Sequence, residues 1–269
     1  MHPTVDLEKI CSEVCNLARE TGGFIRQERI GFAATSVEHK GHNDLVSYVD
    51  KTAESKLIAG LKTLIESSGF IAEENTIARS ESEWQWIIDP LDGTTNFVHG
   101  IPCYCISIAL TRNKKPVLGV IYEINLDECF YAWENSPAYL NGSEIHVSAV
   151  AGIHDSLIAT GFPYTNYSRM VPYMEVFDYC MKNSHGLRRL GSAAVDLAYV
   201  ACGRFEVFYE YGLNAWDVAA GAFLVQQAGG TVTDFSGKDD FIFGREIVAG
   251  NPGTHRELLA VISEKFSSR

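Results

Sequence analysis

Between residues 103 and 148 the chain passes through apolar runs broken at short intervals by turn-forming clusters, KKP at 114–116, NLD at 125–127 and Asn141-Gly142. That alternation commits the middle of the molecule to an antiparallel meander. On either side the spacing changes. Leu7, Ile10, Val14 and Leu17 recur at helical intervals after a Thr4 cap, which predicts an opening amphipathic helix ending near Gly22 and Gly23. The polar stretch GFAATSVEHKGHND reads as a mobile loop or hairpin, residues 44–49 as a short strand, and Leu57, Leu61, Leu64 and Ile65 as a helix starting at Asp50. Short apolar runs at 70–72 and 84–88 each end in an acid, Glu73 and Asp89, and carboxylates at strand ends can converge on one rim. The second half reads as strands near 156–160 and 205–210 with helices near 170–182 and 192–203. A helix at 216–228, the TVTDF strand and a helix at 254–266 complete it. The expectation is an α+β chain, one domain of sheets sandwiched between helices, with two closely packed halves at about 1–150 and 151–269.

Composition narrows the partners. With 46% hydrophobic and 21% charged residues in 269, the chain can bury a large core. A net charge of -12 leaves no basic stripe to displace counterions from a nucleic-acid backbone, so no nucleic-acid partner is expected. Acidity does not exclude a small anionic substrate, because a bound cation reverses the local field. Seven cysteines cannot all pair within the chain, and without a CxxC they form neither a zinc nor a redox motif, so a reducing cytoplasm is expected. The opening MHPTVDLEKI lacks a basic stretch followed by an apolar one, and no apolar run reaches bilayer-spanning length, so no membrane association is expected.

The stretch with most chemistry is DPLDGTTNF at 89–97, following the strand-like WQWII. Pro90 fixes φ and Gly93 permits a left-handed bend, so the Asp89 and Asp92 carboxylates can turn toward one point with the Leu91 carbonyl between them. An all-oxygen cluster of this kind suits a hard divalent cation such as magnesium. Thr94, Thr95 and Asn96 add hydroxyls and backbone N–H groups where a helix can begin, a place suited to an anion. By itself DPLDG also reads as a plain turn.

With GTTNF attached, the run resembles the signature of the inositol monophosphatase family. DLVSYVD ending at Asp50, IAEE around Glu73, RRLGSAAVDLAYVACGRFEVFYE at 188–210 and WDVAAG from Trp216 extend the resemblance over nearly the whole chain. It implies a layered α-β-α-β-α sandwich of the inositol monophosphatase and fructose-1,6-bisphosphatase type, a homodimer, lithium sensitivity and two or three magnesium ions. It further implies that Glu73, Asp89 and the Leu91 carbonyl hold one magnesium and that Asp89, Asp92 and Asp217 hold a second, with a weaker third ion leaning on Glu73. Asp50 and Thr94 would orient and deprotonate a water, Gly93, Thr94 and Thr95 would cradle the phosphate, and Glu210 with the Ala193 backbone would contact inositol hydroxyls.

Each assignment has a plainer reading. Asp50 and Asp217 both stand where an acidic helix cap stabilises by about 1 kcal/mol. Glu73 beside Glu74 and Glu210 at a strand end are ordinarily solvated carboxylates. The histidines His39, His42, His99 and His185 carry no expected role, since a hard cation favours oxygen. A phosphate monoester dianion repels hydroxide and has a poor leaving group, so the site must neutralise oxygens, generate a nucleophile and stabilise the departing alkoxide, work suited to paired divalent ions. Ala72 stands where the family usually has glycine before the paired glutamates. Asn214, where animal members carry a histidine, and GFPYT at 161–165, which resembles the bacterial branch, depart on the alcohol side and open the substrate to histidinol phosphate or another polyol ester. A regulatory binding protein on the same scaffold is the rival from a different class.

Overall fold

The computed structural model describes residues 5–32, 37–41, 44–78 and 82–267. Asp6, accepting the Lys9 N–H at 3.1 Å, opens α1 (Leu7–Gly31), and the expected Thr4 cap lies outside the described residues. The helix does not end at Gly22 and Gly23. Gly22 packs where a Cβ would overlap the Tyr122 ring, and fully buried Ile25 carries the apolar stripe onward. An antiparallel hairpin, β1 (Val37–Gly41) and β2 (Asp44–Ser47), leads into α2 (Tyr48–Leu64). Ser47 is the cap of α2 and Asp50 its third residue, so the helix begins ahead of the aspartate expected to start it.

The seven-stranded sheet follows: β3 (Gly69–Ala72), β4 (Trp84–Asp92), β5 (Cys105–Arg112), β6 (Lys115–Glu123), β7 (Glu128–Trp133), β8 (Ala138–Leu140) and β9 (Ser143–Ile145). The short α3 (Thr94–His99) sits between β4 and β5. β3 pairs parallel with β4, and the rest is the expected antiparallel meander, its turns made by left-handed Asn113, Lys114, Asp127, Asn141 and Gly142.

The second sheet is built from β10 (Leu157–Thr160), β11 (Gly186–Arg188), β12 (Val207–Tyr211), β13 (Thr231–Thr233) and β14 (Glu246–Gly250), in the order β11-β10-β12-β14-β13. Helices α4 (Met170–Asn183), α5 (Ala193–Ala201), α6 (Ala215–Gln227) and α7 (Pro252–Ser267) alternate with these strands. Two of them, β11 and β14, were not expected from the sequence.

Strand alternation assigns each face to a layer. In β4 and β5, Trp86, Ile88, Ile106, Ile108 and Leu110 join the core under α1 and α2, while Ile87, Cys105 and Ala109 join the core against α5 and α6. In β12, Phe208 faces α5 and α6, whereas Val207, Tyr209 and Tyr211 face α4 and α7. The result is five layers: α1 and α2, the first sheet, α5 and α6, the second sheet, α4 and α7. Helix α5 is buried along nearly its whole length, as a helix between two sheets must be. Among the described residues no helix is long and apolar enough to cross a membrane, and all seven cysteines are free thiols.

Candidate active site

A cleft of about 200 Å³ opens where the ends of the two sheets meet α3, α5 and α6, and its walls draw on both halves of the chain. β4 makes its acidic corner. Residues three apart on a regular strand point to opposite faces. Here Asp89 lies opposite Ser107 and Asp92 opposite Cys105, so three steps on β4 match two on β5. The extra residue brings both carboxylates to the cleft side. Gly93 follows at φ 98°, with the Cys103 carbonyl 3.0 Å from where a Cβ would sit. A side chain there is excluded both by conformation and by space.

The other carboxylates arrive from separate elements. Glu73 stands at the exit of β3, its N–H on the Ile88 carbonyl at 3.3 Å, and so flanks Asp89. Asp217 is the third residue of α6, its Oδ2 accepting the Asn214 N–H at 2.6 Å in a capping box. Asp50 repeats that geometry on α2, accepting from the Ser47 N–H at 2.9 Å and hydroxyl at 2.6 Å. Neither aspartate is itself the cap that the plainer reading expected. Ser47 and Asn214 are the caps, and each aspartate, as the third residue of its helix, bonds back to the cap N–H, which leaves it one carboxylate oxygen for other work. Asp50 spends its own on the Thr94 hydroxyl, which donates at 2.8 Å. Asp50 is fully buried behind Thr94, and Thr94, not Asp50, lines the cleft.

Burial and mutual repulsion set the electrostatics. Burial first, then the charges of Glu73, Asp92 and Asp217, push Asp89 well above the usual carboxylate range. Asp92 rises to about 6, burial outweighing the Ala194 N–H and Ser192 hydroxyl that each donate to its Oδ2 at 2.7 Å. Asp217 is pushed up by burial and by Asp92 against the pull of its Asn214 N–H. Glu210 is buried on β12 rather than solvated, and its carboxylate lies against Gly161, where a Cβ would overlap it. Burial and Asp217 raise it.

All the residues expected from sequence except Asp50 line the one cleft: Glu73, Asp89, Leu91, Asp92, Gly93, Thr94, Thr95, Ala193, Glu210 and Asp217. Several residues of the same wall were not singled out from the sequence. Asp196 is 1% exposed with its Oδ1 lacking a hydrogen-bond partner, an acid on an otherwise apolar helix, which is the signal that could have revealed it. Arg189 donates to the Tyr164 hydroxyl at 2.8 Å, and Arg245 donates to Asn214 Oδ1 and the Gly212 carbonyl. Nothing local in the sequence marks either arginine.

Among the described residues no three acidic, histidine or cysteine side chains already close into a ligand cage. The carboxylates stand in one cleft, repelling one another, and the donors facing that cleft are oxygens. Such a set fits a hard divalent cation, which would relieve the repulsion and keep waters of its own.

Other proteins are similar to this chain over most of its length. The inositol-1-monophosphatase of Mesorhizobium japonicum is 41% identical over 234 residues, covering 87% of this chain and 88% of its own. The Nus factor SuhB of Escherichia coli is 35% identical over 268 residues, 99% of this chain and 98% of its own. Among solved structures, the extragenic suppressor protein suhB of Bartonella henselae superposes with a TM-score of 0.90 at 37% identity, covering 95% of this chain and 99% of that one. The model of the inositol monophosphatase family matches residues 6–268, and with relatives this similar over this much of the sequence the chain belongs to that family.

Proposed function

We propose that this protein is a magnesium-dependent phosphatase that releases phosphate from a small monoester, with an inositol monophosphate as the leading substrate. The observation that carries the reading is the convergence of Glu73, Asp89, Asp92 and Asp217, from the exit of β3, from β4 and from α6, on one cleft where burial and mutual repulsion hold Asp89 and Asp217 well above the usual carboxylate range. In this reading Glu73, Asp89 and the Leu91 carbonyl hold one magnesium, and Asp89, Asp92 and Asp217 hold another. Bound there, magnesium supplies charge neutralisation and a water of lowered pKa. The protein supplies the rest. Asp50 accepts the Thr94 hydroxyl proton in a hydrogen bond, so the Thr94 oxygen is free to accept a hydrogen bond from the attacking water and fix its direction. As the water's proton passes to Thr94, the Thr94 proton passes to Asp50. The backbone at Gly93, Thr94 and Thr95 takes the phosphate oxygens. Glu210 and the Ala193 backbone take hydroxyls of the alcohol.

The polar far wall, with Glu210, Asp196, Asn214, Tyr164 and Arg189, supports a compact polyol, whose several hydroxyls can satisfy donors and acceptors together. The same buried pair of acids, Asp196 and Glu210, supports a second reading, since an ammonium would suit them equally and histidinol phosphate carries one. Phosphate release from inositol monophosphates, histidinol phosphate, fructose bisphosphate and adenosine bisphosphate, with and without magnesium, decides between them. No release from any ester in millimolar magnesium would end the phosphatase reading. A homodimer belongs to the proposal, supported by Val171, Met174 and Met181, which put exposed apolar surface on one side of α4. Lithium inhibition and a reducing cytoplasm belong to it as well. The name of the Escherichia coli relative adds a role as a Nus factor beside turnover, separable with an Asp89→Asn variant that abolishes hydrolysis and leaves the outer surface intact.

A further inference from the structure

Helix α2 presents a second buried carboxylate one turn beyond Asp50. Glu54 is fully buried, on the stripe that also carries Leu57, Ile58 and Leu61. A glutamate on such a stripe costs free energy unless its oxygens are satisfied. They are satisfied by one short segment. Oε2 accepts the Glu74 N–H at 2.7 Å, and Oε1 accepts the Thr76 N–H at 2.8 Å and the Thr76 hydroxyl at 2.7 Å. Between those two residues Asn75 adopts φ 53°, the left-handed conformation, and its side-chain amide donates to the Glu73 carbonyl at 2.9 Å. The chain leaving β3 is thus wrapped around the Glu54 carboxylate.

We infer that Glu54 is a positioning residue that sets the direction of Glu73 toward the cation. This rests on the phosphatase reading, in which Glu73 is a magnesium ligand. Glu73 is held on one side by the last rung of the sheet, its N–H on the Ile88 carbonyl at 3.3 Å, and on the other by the turn that Glu54 clamps. A strand end without the clamp would fray at that residue, because nothing beyond it belongs to the ladder. The left-handed Asn75 is a conformation most side chains avoid, so the turn needs an anchor to persist. Helix α2 then serves the site twice, through Asp50 on Thr94 and through Glu54 on Glu73.

The test is Glu54→Gln, which keeps shape and replaces one acceptor by a donor. With the amide oxygen toward Thr76, the amide nitrogen confronts the Glu74 N–H, and the turn beside Glu73 is released. Titration calorimetry of the whole protein with magnesium alone should show affinity weakened about tenfold, and the magnesium that gives half-maximal phosphate release should rise in step, while turnover at saturating magnesium falls less than about twofold. A Glu54→Gln protein with unchanged magnesium affinity, whatever its melting temperature, overturns the inference. If that variant does not fold, Thr76→Val removes one of the three bonds, and its magnesium affinity must weaken by about twofold to threefold. Unchanged affinity there overturns the inference equally. Failure of the phosphatase reading shows differently, as a wild-type protein that binds no magnesium or releases no phosphate.

Discussion

Thr94 has one hydroxyl proton and two oxygens within reach, Asp50 Oδ1 at 2.8 Å and the Leu91 carbonyl at 2.9 Å. A hydrogen bond to a carboxylate is roughly twice as strong as one to a neutral carbonyl, so the proton goes to Asp50 and the Leu91 oxygen keeps its lone pairs for the cleft. Asp50→Asn can offer the same position a donor instead, which reverses the polarity of the contact with Thr94. We expect turnover to fall by about 10²–10⁴ with magnesium affinity, measured by calorimetry, changed by less than about twofold. Parallel loss of both would assign Asp50 to ion binding rather than to the water. At Gly161 the reasoning is steric. The Glu210 carboxylate occupies the place a methyl would take, so Gly161→Ala must displace it from the cleft wall. Loss of one charged contact to the alcohol, about 1.5–3 kcal/mol, predicts KM for the preferred ester raised at least about tenfold with kcat less affected. A Gly161→Ala enzyme with unaltered KM would remove Glu210 from substrate recognition.

Helices α2 and α6 each begin with a capping box in which the third helical residue is an aspartate, Asp50 bonded to the cleft residue Thr94 and Asp217 lining the cleft itself. In the proposed reading the capping-box aspartate is also a functional carboxylate, so weakening the box tests both roles. Ser47→Ala removes the hydroxyl bonds to Val49 N–H and Asp50 Oδ2. It should cost about 1 kcal/mol, which in a chain of this size lowers the melting temperature by about 2–4 °C. Phosphate release should fall more than so small a loss of stability explains, because Asp50 loses its orientation. Activity tracking the folded fraction alone would reduce Ser47 to a cap. The same elements show what a sequence discloses. The meander was legible because its turns use residues that favour positive φ, a local property. The bulge that turns Asp89 and Asp92 to one side was not, because register depends on the partner strand. Gly22 and Gly23 imitate a helix end, and only the Tyr122 ring across the interface explains a glycine inside α1. β14 went unseen although it is an interior strand of the second sheet, since its five residues carry no turn signal of their own. Glu54 has the spacing of a buried position and the chemistry of an exposed one, and the segment that resolves the conflict is about twenty residues away.

At the scale of the whole molecule the cleft joins the two sheets, with Asp92 from the first and Asp217 from α6 in the layer between them, and each raises the proton affinity of the site. An ion bound between them ties the halves together, so its binding is also a term in stability. The sign of the pH dependence follows. Asp89 and Asp217 are raised well above the usual carboxylate range and Asp92 to about 6, so across that interval the folded, metal-free protein holds protons that the unfolded chain has released. Stability therefore declines as pH rises through the interval and is highest, as far as these groups decide it, on the acid side. Magnesium competes with those protons, so its stabilisation must grow in the opposite direction. Thermal melting without divalent ions should give a higher midpoint near pH 5.5 than near pH 8. Magnesium at about 100 times its Kd should add about 2.7 kcal/mol, or about 5–10 °C, at the higher pH and much less at the lower. Equal increments at both values would place the ion somewhere other than on Asp89, Asp92 and Asp217.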